Sequence, residues 1–237
     1  MIKRLALLTT LLAGPALGDP VVVFAAASLK GPLDLIAAEA DEVVVSYGGS
    51  GAIVRQVLQG APADLVLLAN IDWMDVLTTA DVVEEADDFA SNTLVLIGAA
   101  PATVDLANLP ELIGGDRIVM GFTNAVPAGI YAKAALTSLG HWDTLADNTV
   151  EVDNVRAALT LAARAEVPFG ITYATDAQAN DAVHVMATFD SALHPDIRYV
   201  GGVVSDNPNA REFWDLVRGQ KGQSILAQAG FLPPLTP

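Results

Sequence analysis

The chain has 237 residues, and its 28 acidic against 12 basic residues give a formal net charge of −16. So acidic a surface argues against nucleic acid as a partner, because binding to phosphates requires clustered Lys and Arg. It also disfavours anionic membrane surfaces. The sequence contains no Cys, which excludes thiol catalysis and cysteine-ligated metal sites.

The first 18 residues have the pattern of a secretory signal peptide. A cationic start at residues 1–4 precedes an apolar stretch at residues 5–12, and Ala16-Leu17-Gly18 offers small residues for cleavage. A membrane anchor would need about 20 continuous apolar residues, and Pro15 interrupts this stretch. We therefore predict a periplasmic protein, exported and cleaved after Gly18. Cleavage removes two of the 12 basic residues, so the net charge falls from −16 to −18.

Apolar, β-branched runs alternate with helix-like segments along the mature chain. We predict strands at residues 21–25, 43–47, 63–69, 93–99, 117–122, 150–152, 169–174 and 197–204. Helices are predicted at residues 29–40, 52–59, 131–139, 156–165, 208–218 and 224–228. Near-continuous Val, Ile and Leu strands with intervening helices indicate an α/β fold whose parallel sheet is covered on both faces.

The pattern changes after residue 189, where a long strand is followed by two helices and a Pro-rich end. This order fits a chain that leaves its first sheet, builds a second and returns. We therefore expect two lobes, joined by extended crossovers near residues 93–99 and 198–204.

Small or cap-like residues stand at four predicted strand–helix junctions: Ala26-Ala27-Ser28, Gly48-Gly49-Ser50-Gly51, Val126-Pro127-Ala128-Gly129 and Asp153-Asn154-Val155. Helix N-termini present unpaired N–H groups and a partial positive charge, and ligands bind at the carboxyl ends of parallel strands. Together these junctions predict an anion site made of neutral groups. Alternatively, Ser28 and Ser50 are simply N-caps, worth about 1 kcal/mol each, and Gly48–Gly51 is only a tight turn.

An enzyme has weaker support. Gly48-Gly49-Ser50-Gly51-Ala52 approaches a G-x-S-x-G nucleophile elbow, but Ala52 replaces the second glycine. No histidine spacing suits a metal site. The histidines fit surface or packing positions better than catalytic ones, and the acidic pairs fit a solvated face: His141, His184 and His194; Glu84-Glu85 and Asp87-Asp88.

Nine blocks follow one another along the chain: Val23-Phe24-Ala25-Ala26-Ala27-Ser28-Leu29, Tyr47-Gly48-Gly49-Ser50-Gly51, Gln59-Gly60-Ala61-Pro62-Ala63-Asp64, Trp73-Met74-Asp75, Val126-Pro127-Ala128-Gly129-Ile130-Tyr131-Ala132-Lys133, Asn154-Val155-Arg156, Gly170-Ile171-Thr172-Tyr173, Ala187-Thr188-Phe189 and Gly230-Phe231-Leu232-Pro233. In these blocks, which span essentially the whole mature chain, the sequence resembles the ModA family of periplasmic molybdate-binding proteins, type II solute receptors of ABC importers.

The resemblance implies five contacts to a bound molybdate or tungstate. Ser28 and Ser50 would donate from hydroxyl and backbone N–H, Ala128 and Val155 from backbone N–H, and Tyr173 from its hydroxyl. Taken alone, Tyr173 would be interpreted as a packing residue at a strand end. Molybdate is a fully deprotonated dianion that only accepts hydrogen bonds, so a shell of donors suits it. Hydrogenphosphate carries a proton and would want an acceptor.

The resemblance further implies a monomeric, non-enzymatic receptor that delivers its ligand to an ABC importer permease, with no cofactor and no direct protein ligand to molybdenum. The lobes would comprise residues 19–92 plus 203–237, and residues 93–202, with the ligand in the cleft between them. Two alternatives stay open: a receptor for sulfate or another small oxyanion, and a secreted serine hydrolase with Ser50 as nucleophile.

Three features depart from the family pattern. Phe122-Thr123 stands where Asp-Pro is common, which affects the turn before Val126. Gly201-Gly202 replaces a bulkier pair, which we expect to alter the stiffness of the hinge. The segment between Leu35 and Val43 is also short.

Overall fold

The computed structural model describes residues 20–235, in which the chain forms ten strands and ten α-helices. The predicted signal peptide, residues 1–18, lies outside the described residues. Within the described range, no helix is long and apolar enough to cross a membrane.

The strands are β1 (Val21–Ala26), β2 (Val43–Gly48), β3 (Leu65–Leu68), β4 (Ala86–Ser91), β5 (Leu94–Gly98), β6 (Ile118–Gly121), β7 (Thr149–Val152), β8 (Phe169–Tyr173), β9 (His184–Thr188) and β10 (Arg198–Val203). The helices are α1 (Pro32–Ala37), α2 (Ser50–Leu58), α3 (Ile71–Thr79), α4 (Leu109–Ile113), α5 (Pro127–Ser138), α6 (Trp142–Leu145), α7 (Val155–Ala163), α8 (Ala174–Gln178), α9 (Pro208–Arg218) and α10 (Gln220–Gln228). All predicted strands and helices occur, with shifted ends.

Six elements were missed by the sequence prediction: α3, α4, α6, α8, β4 and β9. The strands β4 and β9 lie at the edges of their sheets. An edge strand keeps exposed, polar positions, which weaken the apolar pattern on which the prediction relied. The helices α4, α6 and α8 span only four or five residues, too few for a helical period to show.

The strands form two five-stranded sheets, ordered β2-β1-β3-β10-β4 and β7-β6-β8-β5-β9. The prediction of a parallel sheet is wrong in part. In the first sheet β10 runs antiparallel to β3 and β4, and in the second β5 runs antiparallel to β8 and β9. All five residues of β5 are buried. The apolar run of β5 therefore indicated that the strand is buried on both faces. Burial of this kind does not depend on the direction of the strand.

The chain changes sheets at two places, and these differ from the predicted crossovers. It leaves the first sheet between Ser91 and Leu94 and returns between Thr188 and Arg198. The predicted crossovers, residues 93–99 and 198–204, instead contain the sheet strands β5 and β10. Residues 198–202, assigned to the second lobe, thus belong to the first sheet because β10 pairs there with β3 and β4.

The glycine pair in β10 lies within the first sheet. Gly201 pairs with Leu67 on one side and Asp87 on the other, within the first sheet. A side chain at Gly201 would come within 2.5 Å of the Trp214 ring, and one at Gly202 within 2.4 Å of Val83. These glycines therefore let core side chains pack onto β10, and the expected effect on the stiffness of the hinge stays a prediction.

Candidate functional site

The five residues that the resemblance implicates line one small cavity between the two sheets: Ser28, Ser50, Ala128, Val155 and Tyr173. None of the five is more than 4% exposed. The cavity is small, and no charged side chain from residues 20–235 lines it. A space of this size suits a small ion better than a nucleotide or drug-sized ligand.

Two of the five residues come from the first lobe, by which we mean the first sheet and its helices. Ser28 lies in a short 3-10 turn, Ala27–Leu29, directly after β1, and Ser50 is the first residue of α2, after β2. Because β1 and β2 are parallel neighbours, their carboxyl ends bring both serines to one edge of the sheet.

The other three come from the second lobe, built on the second sheet. Ala128 is the second residue of α5, behind Pro127, and Val155 is the first residue of α7. Their N–H groups belong to the first turn, which has no acceptor within the helix. The partial positive charge of the helix N-terminus adds to the attraction for an anion. Tyr173 is the last residue of β8.

Neither serine is a helix cap, so that alternative interpretation is not supported. Neither Ser28 nor Ser50 makes a side-chain capping bond. Instead, Ser50 Oγ accepts a hydrogen bond from the Ala69 N–H at 3.1 Å, and Ser28 Oγ lies 2.8 Å from Tyr199 Oη. By contrast Asn154 does cap α7, accepting from the Ala157 N–H. Both serine hydroxyls are thus held by other groups of the protein: Ser50 by a backbone N–H at the cavity wall, and Ser28 by a side chain that does not line the cavity.

The glycine-rich junction permits close contact between the lobes rather than a tight turn. None of its glycines has a positive φ. A side chain at Gly49 would come within 2.5 Å of the Asp153 carbonyl oxygen, and one at Gly51 within 2.6 Å of that of Ala125. The Gly51 N–H donates to the same Ala125 oxygen at 3.2 Å. Glycine lets the N-terminus of α2 meet the second lobe, and the cleft is closed over the cavity.

Two side chains that sequence reasoning did not single out also bridge the lobes. Tyr131 of α5 donates to the Ala69 carbonyl at 3.3 Å and accepts from Asn70 Nδ2 at 3.0 Å. Arg156 of α7 donates to the Lys30 carbonyl at 3.0 Å. Both occur within the blocks quoted for the resemblance, but nothing in the residue pattern showed that they would reach the other lobe.

Burial keeps the tyrosine hydroxyls near the cavity in their neutral, donating form. It raises the pKa of Tyr131 to about 12 and that of Tyr173 well above its ordinary value. The Tyr173 hydroxyl is buried without a hydrogen-bond partner among residues 20–235. Since an unpaired buried hydroxyl costs about 1–3 kcal/mol, this group has a donor to offer a ligand.

One buried carboxylate lies close behind the site. Asp176, in α8, has its Oδ1 2.7 Å from Arg156 Nε and is fully buried. The two atoms lack hydrogen-bond geometry. Burial raises the pKa of Asp176 to about 6, and the nearby Arg156 charge only partly opposes this. Neither side chain lines the cavity.

The geometry around Ser50 offers no support for the serine hydrolase. A nucleophilic serine needs a base that accepts its proton. Ser50 Oγ instead accepts from a backbone N–H, which cannot act as a base. Of the histidines, His141 bonds the Leu106 carbonyl and His194 the Pro195 carbonyl. No group of three potential metal ligands among His, Cys, Asp and Glu was found in the described part of the chain.

The departure at Phe122-Thr123 leaves the turn before α5 well bonded. Thr123 donates to Glu151 from its N–H at 3.0 Å and from its hydroxyl at 2.9 Å. The Val126 N–H bonds the Phe122 carbonyl at 2.9 Å. These bonds fix the turn that brings Ala128 to the cavity.

Comparisons with known proteins agree with this fold. Residues 21–232 match the family of bacterial extracellular solute-binding proteins. The chain is 37% identical over 243 residues to the molybdate-binding protein ModA of Escherichia coli, covering 95% of each chain. It is 34% identical over 226 residues to ModA of Haemophilus influenzae, covering 89% of each. The solved periplasmic molybdate-binding protein of Azotobacter vinelandii has the same fold, with a TM-score of 0.81 at 23% identity over 91% of this chain and 100% of that one.

Proposed function

The chain belongs to the bacterial extracellular solute-binding proteins and, within them, to the ModA family, and we propose that it captures molybdate or tungstate for an ABC importer. The observation that carries this proposal is the cavity itself. Ser28, Ser50, Ala128, Val155 and Tyr173 surround it and all present hydrogen-bond donors. A fully deprotonated tetrahedral dianion can accept from every one of them.

The strongly acidic chain is compatible with an anionic ligand because the ligand would contact only the uncharged residues that line the cavity. Uncharged donors line the cavity, and hydrogen bonds to a charged group are worth roughly 1.5–3 kcal/mol each. Several such bonds outweigh the entropic cost of binding a small ion. The net charge of −16 acts at longer range and mainly slows the encounter.

Closure of the lobes is part of the proposed mechanism. We assign residues 19–92 with the C-terminal return to the first lobe and the second sheet to the other. Because the donors come from both lobes, an ion in the cavity favours the closed state over the open one. The contacts from Gly51 to Ala125 and from Arg156 to Lys30 then form across the cleft. The closed, monomeric receptor would dock on the permease of the importer, without performing catalysis.

Calorimetry of ligand-free mature protein with four oxyanions tests the assignment. We expect molybdate and tungstate to bind much more tightly than sulfate, and hydrogenphosphate to bind weakest because its proton finds no acceptor. A ligand at 100 times its Kd should add about 2.7 kcal/mol to the free energy of unfolding. If sulfate or phosphate binds best, the molybdate assignment is wrong although the fold stands.

A further inference from the structure

Tyr199, on β10, reaches the hydroxyl of the cavity-lining residue Ser28 from behind the cavity wall. Its hydroxyl oxygen lies 2.8 Å from Ser28 Oγ, yet its side chain does not line the cavity. The ring is fully buried and stands edge-on to Phe89, Tyr173 and Phe231, with centroid distances of 6.1, 6.0 and 5.2 Å. This packing fixes where the hydroxyl points.

Asn92, where the chain leaves the first sheet, fixes the polarity of the Tyr199 hydroxyl. The Thr93 N–H donates to Asn92 Oδ1 at 2.9 Å, which turns the amide nitrogen the other way. That nitrogen donates to Thr175 Oγ1 at 2.8 Å and, over a longer 3.4 Å, to Tyr199 Oη. Tyr199 Oη therefore already receives a hydrogen from Asn92.

The hydroxyl hydrogen of Tyr199 itself has one acceptor within reach in the described range, Ser28 Oγ. If Ser28 donated to Tyr199 instead, the buried Tyr199 hydrogen would have no acceptor, and buried polar groups are rarely left so. Burial also raises the pKa of Tyr199 well above its ordinary value, so this hydrogen stays on the phenol. Tyr199 donates to Ser28, and the hydrogen of Ser28 is left for the cavity.

Resting on the proposed function, we infer that Tyr199 is a positioning residue that holds the Ser28 hydroxyl as a donor to the bound oxyanion. Ser50 is held in a similar way, because its Oγ accepts a hydrogen bond from the Ala69 N–H at 3.1 Å. The Tyr199 hydroxyl belongs to a side chain, whereas the Ala69 donor is a backbone N–H. Only the effect of Tyr199 can therefore be removed by a substitution. Neither the residue pattern nor the resemblance implicated it.

A double-mutant cycle between Tyr199→Phe and Ser28→Ala tests this inference. Tyr199→Phe keeps the ring and its aromatic packing and removes only the hydroxyl. We expect it to weaken molybdate binding about tenfold in the otherwise unchanged protein, because Ser28 can then turn away from the ligand. In the Ser28→Ala background the same substitution should change the affinity less than about twofold. Equal losses in both backgrounds would mean that Tyr199 does not act through Ser28.

Tyr47→Phe is the matched control. It also removes one tyrosine hydroxyl from the first sheet, but that hydroxyl bonds Asp34 Oδ1 outside the cavity. Molybdate affinity should stay unchanged. If Tyr199→Phe binds molybdate as tightly as the wild type, the inference about Tyr199 is wrong but the proposed function stands. If the wild-type protein binds no molybdate, the proposed function is wrong.

A neutron crystal structure of the deuterated wild-type protein with molybdate provides a test that needs no variant. We expect the deuterium of Tyr199 to point at Ser28 Oγ and that of Ser28 to point at a molybdate oxygen. A deuterium on Ser28 directed at Tyr199 would refute the inference, even if Tyr199→Phe fails to fold.

Discussion

The two lobes supply donors of different kinds to the same cavity. In the first lobe, the hydroxyls of Ser28 and Ser50 are held by Tyr199 and the Ala69 N–H through hydrogen bonds within the protein. In the second lobe, the first-turn N–H groups of α5 and α7 have no acceptor within their helices, and the Tyr173 hydroxyl lacks a partner in the described part of the chain.

This difference indicates that the donors of the two lobes contribute to binding in different ways. Protein hydrogen bonds pre-organise the first-lobe donors, so losing them disturbs the protein as well as the ligand. Under the proposed function, the second-lobe donors take the bound ion as their acceptor, so binding of the ion favours a lobe position that reaches it. Substitutions in the two lobes should therefore have separable effects on affinity and on ligand-free stability.

The largest effect is expected for the double variant Ser28→Ala, Ser50→Ala. It removes both pre-organised hydroxyls, so the affinity for molybdate should fall by about 3–6 kcal/mol, more than a hundredfold. The ligand-free protein should also melt lower, because the buried Ala69 N–H loses its acceptor. Calorimetry and thermal melting measure the two effects. Lower melting with unchanged affinity would restrict both serines to a structural role.

Val155→Pro removes a backbone donor from the second lobe without breaking its helix. Val155 is the first residue of α7, a position where proline is favoured, and Asn154 before it is extended, as a residue preceding proline should be. We expect affinity to fall by about 1.5–3 kcal/mol. Because the Val155 side chain is buried in the core, ligand-free melting should also fall somewhat. The control is Gln220→Pro, at the first position of α10, which does not line the cavity and should leave affinity unchanged.

Tyr173→Phe should cause an affinity loss of similar size, about tenfold to a hundredfold. In contrast to the serine variants, it should leave the ligand-free melting temperature unchanged or slightly higher, because the hydroxyl it removes has no partner in the described residues. Affinity and melting are measured on the same variant. Unchanged affinity would make Tyr173 a packing residue only.

Asp176→Asn should have the smallest effect on affinity, since this side chain does not line the cavity. Its signature lies in the pH dependence of ligand-free stability. The pKa of Asp176 is raised from 3.8 to about 6, so its contribution to stability is present below pH 3.8 and is lost as the pH rises through about 6. The wild type should therefore lose on the order of 1–3 kcal/mol relative to the variant between about pH 4 and 7. A difference that stays constant over this range would contradict the assignment.

The sequence by itself determined the alternation of strands and helices, the two-sheet path of the chain and the junctions that line the cavity. It did so because buried apolar runs, helix starts and small residues can each be recognised from a short stretch of sequence. The resemblance added Tyr173, whose position at the end of β8 had no local mark of function.

Only the tertiary structure decided strand direction, the places where the chain changes sheets and the partners of the serines. A buried strand has the same apolar pattern in either direction, so β5 and β10 could not be oriented from their residues. Likewise Ser28 meets Tyr199 across 171 positions of sequence, and Tyr131 reaches Ala69 across 62. Such contacts depend on tertiary packing, within the first lobe for Ser28 and between the lobes for Tyr131, which no local sequence pattern shows.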